Sequence, residues 1–487
     1  MVRLYTDLPW FWNDIAEEVR LFVNDTVLQA EQGQQDGADT EVSVTLSQDK
    51  NEWTAVAHCS AQGRRAHYEY TCPAIVGSEL VIKRHMKRAV KIAAFRAMRE
   101  LFAVYTPWGS LTGIRPTRLL RELMEDMGEA GALGMMQNGF DVLPQKLELA
   151  HEIVNVQRPL LESQTDNDID VYVGIPFCKT RCLYCSFLSE VRDKKTDMAA
   201  YILALKRDIA LGARIATESG YKVRSMYMGG GTPTVLTAGE LEDVLSFSID
   251  AYGGFGSELT VEAGRPDTIT PDKLHVIRRL GAQRISINPQ TMNEHTLALV
   301  GRSHTPEEIE KAYHMAREIG FASINMDVIA GLPGETLDDM HETLERIAAL
   351  APENLTVHTL AIKRSSRLAQ CLESYPLPSA ETVDGMVALG LETARGMGMR
   401  PYYMYRQKYM RGNLENVGYA KIGTECIYNV DMMEETTSIM AHGAGAMSKR
   451  IFGGEHRVER IPNPKDIATY IDKVDAVAQE KRELFGV

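Results

Sequence analysis

Three cysteines, Cys178, Cys182 and Cys185, stand within eight residues in the stretch Pro176-Phe-Cys-Lys-Thr-Arg-Cys-Leu-Tyr-Cys-Ser-Phe187. Cysteine thiolates hold iron–sulfur clusters, and a four-iron cluster ordinarily takes four of them. A lone Cys-x3-Cys-x2-Cys loop therefore suggests a cluster with one iron left open, able to bind a substrate or cofactor as a catalytic zinc does at its free position. Two other readings compete. The cysteines can lie at i, i+4 and i+7 on one helical face as small core residues, but Pro176 lies upstream and Lys179 and Arg181 stand between them. Zinc needs a fourth ligand, and no His or Cys follows at finger-like spacing.

Further downstream, other residues suited to chemistry recur at regular intervals. Met228-Gly-Gly-Gly-Thr232-Pro233 lets backbone approach a ligand closely and exposes its amides and carbonyls, although a tight turn has the same composition. Glu262 closes an apolar run and is either solvated, paired with Arg265, or a ligand contact. Arg284 opens a strand-like stretch that runs to Asn288-Pro289-Gln290, and it suits a structural ion pair. Thr305 suits a helix N-cap, and Arg302 beside it can neutralise a carboxylate. Asp327 interrupts the apolar Ser323-Ile-Asn-Met-Asp-Val-Ile-Ala, where an unpaired carboxylate is costly to bury.

The elements that must carry these residues alternate. Short apolar runs near 169–177, 223–228, 257–262, 283–288, 322–329 and 354–361 read as strands, and amphipathic runs near 196–217, 238–251, 271–280, 306–319 and 336–350 read as helices. Such alternation predicts parallel βα units with right-handed crossovers. Six units fit a partial (β/α)6 barrel, with an eight-stranded barrel or an open doubly wound sheet as alternatives. In barrels the chemistry sits at the C-terminal ends of strands, and that is where the distinctive residues fall.

Ahead of this lies a region without a cysteine cluster. Glu41–Leu46, Trp53–His58 and His67–Tyr70 predict a strand meander, and a helix follows over about Ser78–Val104. Lys83, Arg84, His85, Lys87, Arg88 and Lys91 make that helix basic; a solvated face explains them, and a surface for RNA or a polycarboxylate is the sharper alternative. Cys59 and Cys72 read as buried structural cysteines, as do Cys371 and Cys426. We divide the chain into an N-terminal α+β domain (1–165), the (β/α)6 core (166–365) and a C-terminal mixed region (366–487). That last region holds Tyr402, Tyr403, Tyr405, Tyr409, Tyr419 and Tyr428. With Arg406, Lys408, Arg411 and Lys449 they suit a slot for a flat anionic ligand, or an aromatic core with a basic rim.

A net charge of −13 over 487 residues argues against a general nucleic-acid or membrane-surface binder. No apolar run is long enough to span a bilayer, and the N-terminus lacks a signal-peptide core. Cytoplasmic residence is the expectation, at low oxygen if a cluster is exposed.

The cysteine loop, with an aromatic before its last Cys, is similar to the signature of radical S-adenosylmethionine (SAM) enzymes. Tyr172-Val-Gly-Ile-Pro-Phe-Cys resembles the HemN/HemZ branch, that of the oxygen-independent coproporphyrinogen III dehydrogenases. Gly301-Arg-Ser-His-Thr305 and Gly443-Ala-Gly-Ala-Met-Ser-Lys449 resemble passages of that family, and Leu111-Thr-Gly-Ile-Arg-Pro-Thr117 and Pro401-Tyr-Tyr-Met-Tyr405 resemble the HemZ type in particular. The resemblance implies a [4Fe-4S] cluster on Cys178, Cys182 and Cys185, and SAM held by Gly230, Gly231, Thr232, Pro233, Glu262, Gln290 and Asp327. Tyr172 is implied on the substrate side as the catalytic candidate. The implied reaction begins with reductive cleavage of SAM to methionine and a 5′-deoxyadenosyl radical. Oxidative decarboxylation of two propionates of coproporphyrinogen III to vinyl groups follows, with a small donor protein such as a flavodoxin or ferredoxin supplying electrons. Three positions depart from that family's pattern: Gly174 replaces a His, Phe187 replaces a further Cys, and Asn288-Pro289 replaces Gly-Val before Gln290. The alternatives are a HemW-like haem-binding or trafficking protein, and a radical SAM enzyme acting on another tetrapyrrole.

Overall fold

A computed structural model describes the chain except residues 24, 32–37, 187–189, 194–195, 408–409, 454–456 and 487, and the side chain of Arg411. Phe187, Lys408 and Tyr409 thus lie outside the described residues. The chain forms two compact units, Met1–His151 and Glu152–Val487.

In the first unit the alternating apolar residues build a five-stranded sheet of order β2-β1-β3-β4-β5, from β1 (Val2–Thr6), β2 (Val27–Gln29), β3 (Thr40–Asp49), β4 (Glu52–Ala61) and β5 (Arg64–Pro73). The last three form the antiparallel meander that the sequence predicts. One face buries Val42, Val44, Ala55, Ala57 and Cys59 together with the apolar sides of α1 (Trp12–Val19) and α2 (Glu79–Phe102). Helix α3 (Pro116–Gly134) follows, with Pro116 at its start, where a missing N–H is harmless, and then α4 (Pro144–Glu162), within which the first unit ends. Most of the basic residues on α2 are engaged within this unit. Lys83 pairs with Glu79, Lys87 with Asp14 and Lys91 with the buried Glu18, while Arg88 lies over the Phe140 ring. Cys59 is buried, and burial pushes its thiol up to about 12; Cys72 is only half-buried.

The second unit contains all six of the anticipated βα strands. They are β6 (Asp168–Ile175), β9 (Lys222–Gly230), β10 (Glu258–Gly264), β11 (Arg284–Ile287), β12 (Ser323–Ala330) and β13 (Asn354–Thr359), with the short pair β7 (Phe177–Cys178) and β8 (Glu190–Val191) between the first two. Consecutive strands lie side by side and parallel, as right-handed crossovers require. The connecting helices are α5 (Met198–Glu218), α6 (Ala238–Tyr252), α7 (Pro271–Arg279), α8 (Glu294–Leu299), α9 (Pro306–Ile319) and α10 (Leu337–Leu350). Three of them start sharply because Thr237, Thr305 and Thr336 close capping boxes with Glu240, Glu308 and Asp339.

The C-terminal region is woven into this same sheet. After α11 (Arg367–Gln370) and α12 (Ala380–Gly396), β14 (Arg400–Tyr405) and β15 (Asn416–Ala420) extend one side antiparallel through β13. After α13 (Ile427–Glu434), β16 (Ser438–His442) pairs parallel with β6 on the other side, followed by β17 (Met447–Phe452) and β18 (Arg457–Pro462). Helix α14 (Ile467–Phe485) packs behind, against α5. The resulting order is β14-β15-β13-β12-β11-β10-β9-β6-β16-β17-β18. Among the described residues, no helix is long and apolar enough to cross a membrane.

Candidate functional site

Side chains alternate across a strand, so residues two apart share a face. The parallel strands use this period to send polar residues to one side near their C-terminal ends. Thr260 and Glu262 come from β10, Ser286 and Asn288 from β11 and beyond it, Asn325 and Asp327 from β12, and Thr356 from β13 with His358. All line one cavity of about 640 Å³. Tyr172, Cys178, Cys182, Cys185, Gly230, Gly231, Thr232 and Gln290 line it as well. Pro233 does not reach the cavity and instead opens a buried turn behind the glycine loop.

The glycine loop is shaped by contact with the segment leading to Cys178. Gly231 N–H donates to the Ile175 carbonyl at 2.8 Å and Thr232 N–H to the Phe177 carbonyl at 2.8 Å. A Cβ on Gly231 would stand 2.5 Å from the Phe177 oxygen, so only glycine permits the approach. Thr232 Oγ1 then lies 3.5 Å from Cys178 Sγ. Gln290 adopts φ 70°, strained for a side-chain-bearing residue, and is pinned there by hydrogen bonds with β12. Its N–H donates to Asp327 O and its carbonyl accepts from Ile329 N–H, each at 2.9 Å. The Asn288-Pro289 sequence thus leads into a locked corner.

Two carboxyls of the site behave oppositely. Burial raises Glu262 to about 7, against the hydrogen bond from Tyr227 Oη to its Oε1 at 2.6 Å, with the nearby charge of Asp327 adding to the rise. Desolvation pushes the half-buried Asp327 the same way, but His358 and hydrogen bonds from Asn325 and Thr356 hold it below the usual carboxylate range. Asn325 Nδ2 reaches Asp327 Oδ1 at 2.7 Å and His358 Nε2 lies 3.6 Å from Oδ2. Glu262 is therefore a partner of Tyr227 and not of Arg265, whose carboxylate is Asp267.

Aromatic rings make up one wall. Tyr172 and Tyr227 line the cavity and stack with Tyr428, which is buried outside the lining, the ring centroids lying 4.6 Å apart for Tyr227–Tyr428 and 6.3 Å for Tyr172–Tyr227. Tyr402, Tyr403 and Tyr405 line the cavity, whereas Tyr419 is buried elsewhere. Two basic residues proposed for a slot point away. Arg406 is buried and bonded to Asn413, and Lys449 is buried against Met432 and Glu435. The cavity's cations are instead Arg181, Arg265, Arg284, Arg302 and Lys363. Arg284 forms an ion pair, with Nε 3.5 Å from Glu258, and also bonds Asn354 and Thr424. Arg302 lies against Cys182 and Tyr184 instead of a carboxylate. Cys426 is buried in the cavity wall 3.2 Å from Glu258, while Cys371 is exposed, which removes the packing reason for a structural role. Sequence reading passed over Thr260, Ser286, Asn325 and His358, although their i, i+2 spacing with Glu262, Asn288, Asp327 and Thr356 was a visible signal.

The residues present suit a cluster and a polar nucleoside. Thiol sulfurs face a cavity in which a hydroxyl and guanidinium groups approach Cys178 and Cys182, as sulfur-bound negative charge requires. Among the described residues no three His, Cys, Asp or Glu side chains, Cys178, Cys182 and Cys185 included, are gathered closely enough to hold a metal ion, so the cluster assignment rests on family membership and not on the spacing of the thiols. Thr260 Oγ1 and Asn288 Oδ1 are buried without a protein partner at the cavity wall, places for a polar ligand to bond.

These features define a class, the radical SAM fold, and the Radical SAM superfamily model matches residues 172–347. The HemN structure from Escherichia coli, described as a coproporphyrinogen III oxidase and radical SAM enzyme, superposes with a TM-score of 0.51 at 24% identity, covering 67% of this chain and 73% of that one. The chain is 34% identical to the oxygen-independent coproporphyrinogen-III oxidase-like protein HemZ of Bacillus subtilis (strain 168), over 92% of this chain and 91% of that protein. With the heme chaperone HemW of Escherichia coli it shares 28% identity over 54% of this chain and 65% of that one. The chain belongs to the radical SAM superfamily, among the HemZ-like relatives of the oxygen-independent coproporphyrinogen III oxidases. Membership implies a [4Fe-4S] cluster and SAM.

Proposed function

We propose that this protein is a radical SAM oxidoreductase that decarboxylates propionate side chains of a tetrapyrrole, with coproporphyrinogen III as substrate. The observation that carries the reading is the meeting of the three thiols, the strand-end polar residues and the tyrosine wall in one cavity. The HemZ-like relative supports a tetrapyrrole in that space. Cys178, Cys182 and Cys185 would hold three irons. Gly230, Gly231 and Thr232, with Glu262, Gln290 and Asp327, would hold SAM.

When bound, the cluster and SAM supply one-electron cleavage of a sulfonium and the hydrogen-atom abstraction that follows from it. The chain's own residues position the partners. Tyr227 holds the Glu262 carboxyl, Asn325 and His358 hold Asp327, and the tyrosine wall shields the reacting carbon from water. Arg181 and Lys363, at the cavity lining, suit substrate carboxylates. Each propionate would lose one hydrogen atom, which ends in 5′-deoxyadenosine, one electron, which passes to an external one-electron acceptor, and CO2, to become a vinyl group, while a small electron-donor protein serves the cluster.

The test is anaerobic reconstitution with SAM, dithionite and coproporphyrinogen III, following 5′-deoxyadenosine, CO2 and the vinyl product. Haem binding without turnover favours a chaperone role of the HemW kind, and a methylated, ring-opened product favours another tetrapyrrole reaction. No 5′-deoxyadenosine with any tetrapyrrole removes the enzyme reading.

A further inference from the structure

The loop after β10 sends a guanidinium into the cysteine loop. Arg265 is only 3% exposed. Its Nη1 donates to Thr180 Oγ1 at 2.6 Å and to the Thr180 carbonyl at 3.2 Å, and reaches Cys182 Sγ at 3.8 Å. The other side of the fork is fixed by Asp267, with Nε to Oδ1 at 3.0 Å and Nη2 to Oδ2 at 3.2 Å. Asp267 is itself held by Lys179 at 3.2 Å, and His304 lies 3.8 Å away. Thr180 in turn donates to the Gly301 carbonyl at 2.9 Å, which ties the cysteine loop to the loop that carries Arg302.

A planar fork with both arms engaged cannot swing away as a lysine can. Asp267 offsets part of its charge, but the Nη1 arm turned away from that carboxylate is desolvated and directed at Thr180 and Cys182, so its N–H dipole acts on the sulfur at short range. Hydrogen bonds and positive charge at cluster sulfurs stabilise the reduced, more negative state and raise the reduction potential. We propose that Arg265 is a positioning residue for the iron–sulfur cluster. It fixes the Cys178–Cys182 span through Thr180 and raises the cluster's reduction potential through Cys182 Sγ. The proposal rests on the reading of the three cysteines as cluster ligands.

The test uses the full chain, reconstituted anaerobically without SAM, with iron and sulfide analysis and an EPR-monitored redox titration. For Arg265→Gln we expect wild-type iron content and a reduced-to-oxidised ratio about tenfold lower at the wild-type midpoint, equivalent to ~59 mV for a one-electron couple. A loaded Arg265→Gln cluster with the wild-type midpoint overturns the proposal. If Gln abolishes loading, Arg265→Lys decides: a loaded cluster with a lowered midpoint supports the proposal, while a wild-type midpoint or no cluster overturns it. Failure of the wild-type chain to take up iron defeats the ligand assignment itself, and so separates the two readings.

Discussion

Replacing Asp208 should destabilise the second unit more than almost any other single change. Asp208 lies on α5 with its side chain 4% exposed. Its Oδ1 accepts from Lys481 Nζ at 2.8 Å and lies 3.1 Å from His442 Nδ1. Its Oδ2 accepts from Tyr470 Oη and Asn463 Nδ2 at 3.0 Å and from Gly443 N–H at 3.1 Å. Asp208→Ala leaves the Lys481 ammonium, 1% exposed, donating to the Ala441 carbonyl with no carboxylate beside it. Breaking a buried pair from one side costs about 3–5 kcal/mol. Asp208→Leu with Lys481→Met should recover more than half of that loss, because no uncompensated charge stays buried. All four tryptophans precede residue 151, so far-UV CD in urea, with hydrogen exchange resolved by peptide, is the suitable assay. Amides of β16 and α14 should lose roughly two to nearly four orders of magnitude of protection. Burial works against ionisation, yet Lys481 and His442 hold the Asp208 carboxyl below its ordinary 3.8. Its stabilisation is therefore complete above about pH 4 and lost as pH falls further, so the variant should show a shallower acid-unfolding slope. A single variant costing under about 1 kcal/mol, or a double variant costing as much as the sum, would refute the reasoning.

Other outcomes follow from the site. Because Glu262 has its proton affinity raised from 4.5 to about 7, its contribution to ligand-free stability is present below pH 4.5 and lost as pH rises through about 7; Glu262→Gln should flatten that slope in pH-dependent melting. Tyr227→Phe removes the bond that lowers Glu262, so any pH profile of SAM affinity set by that carboxyl should move upward, as read by equilibrium binding. Gly231→Ala should weaken SAM binding by roughly tenfold or more, since its Cβ collides with the Phe177 backbone; unchanged affinity would show that the loop yields freely. Cys182→Ser should abolish the visible absorbance of the reconstituted protein, and a full wild-type spectrum would count against the ligand assignment.

The parallel strands were legible because each couples an apolar run to a helix, most of them capped at the start, and the period of that pattern is local. The residues at strand ends were legible for the same reason, since Glu262 and Asp327 interrupt apolar context. What lay hidden depends on pairings distant in sequence. Ser438–His442 is too short to announce a strand beside Ile169–Val173. Arg406 and Lys449 look like slot residues until their packing against Asn413 and Met432 is seen. Gly174 looks like a plain loss of a histidine. In the fold a Cβ there would stand 3.1 Å from the His442 carbonyl and 3.2 Å from the Tyr172 ring, so the added side chain would crowd the tyrosine wall. The absent histidine and the tyrosine stack are thus linked.

The pairing of β16 with β6 has a consequence for biogenesis. β6 leads directly into Cys178, yet the neighbour that covers one of its edges is made more than 250 residues later in synthesis. While the ribosome is still translating the helices in between, the loop that carries the thiols already follows a strand with one bare edge. Iron delivered to the nascent chain would meet a seat without its final support, so maturation is best timed to follow release of the polypeptide.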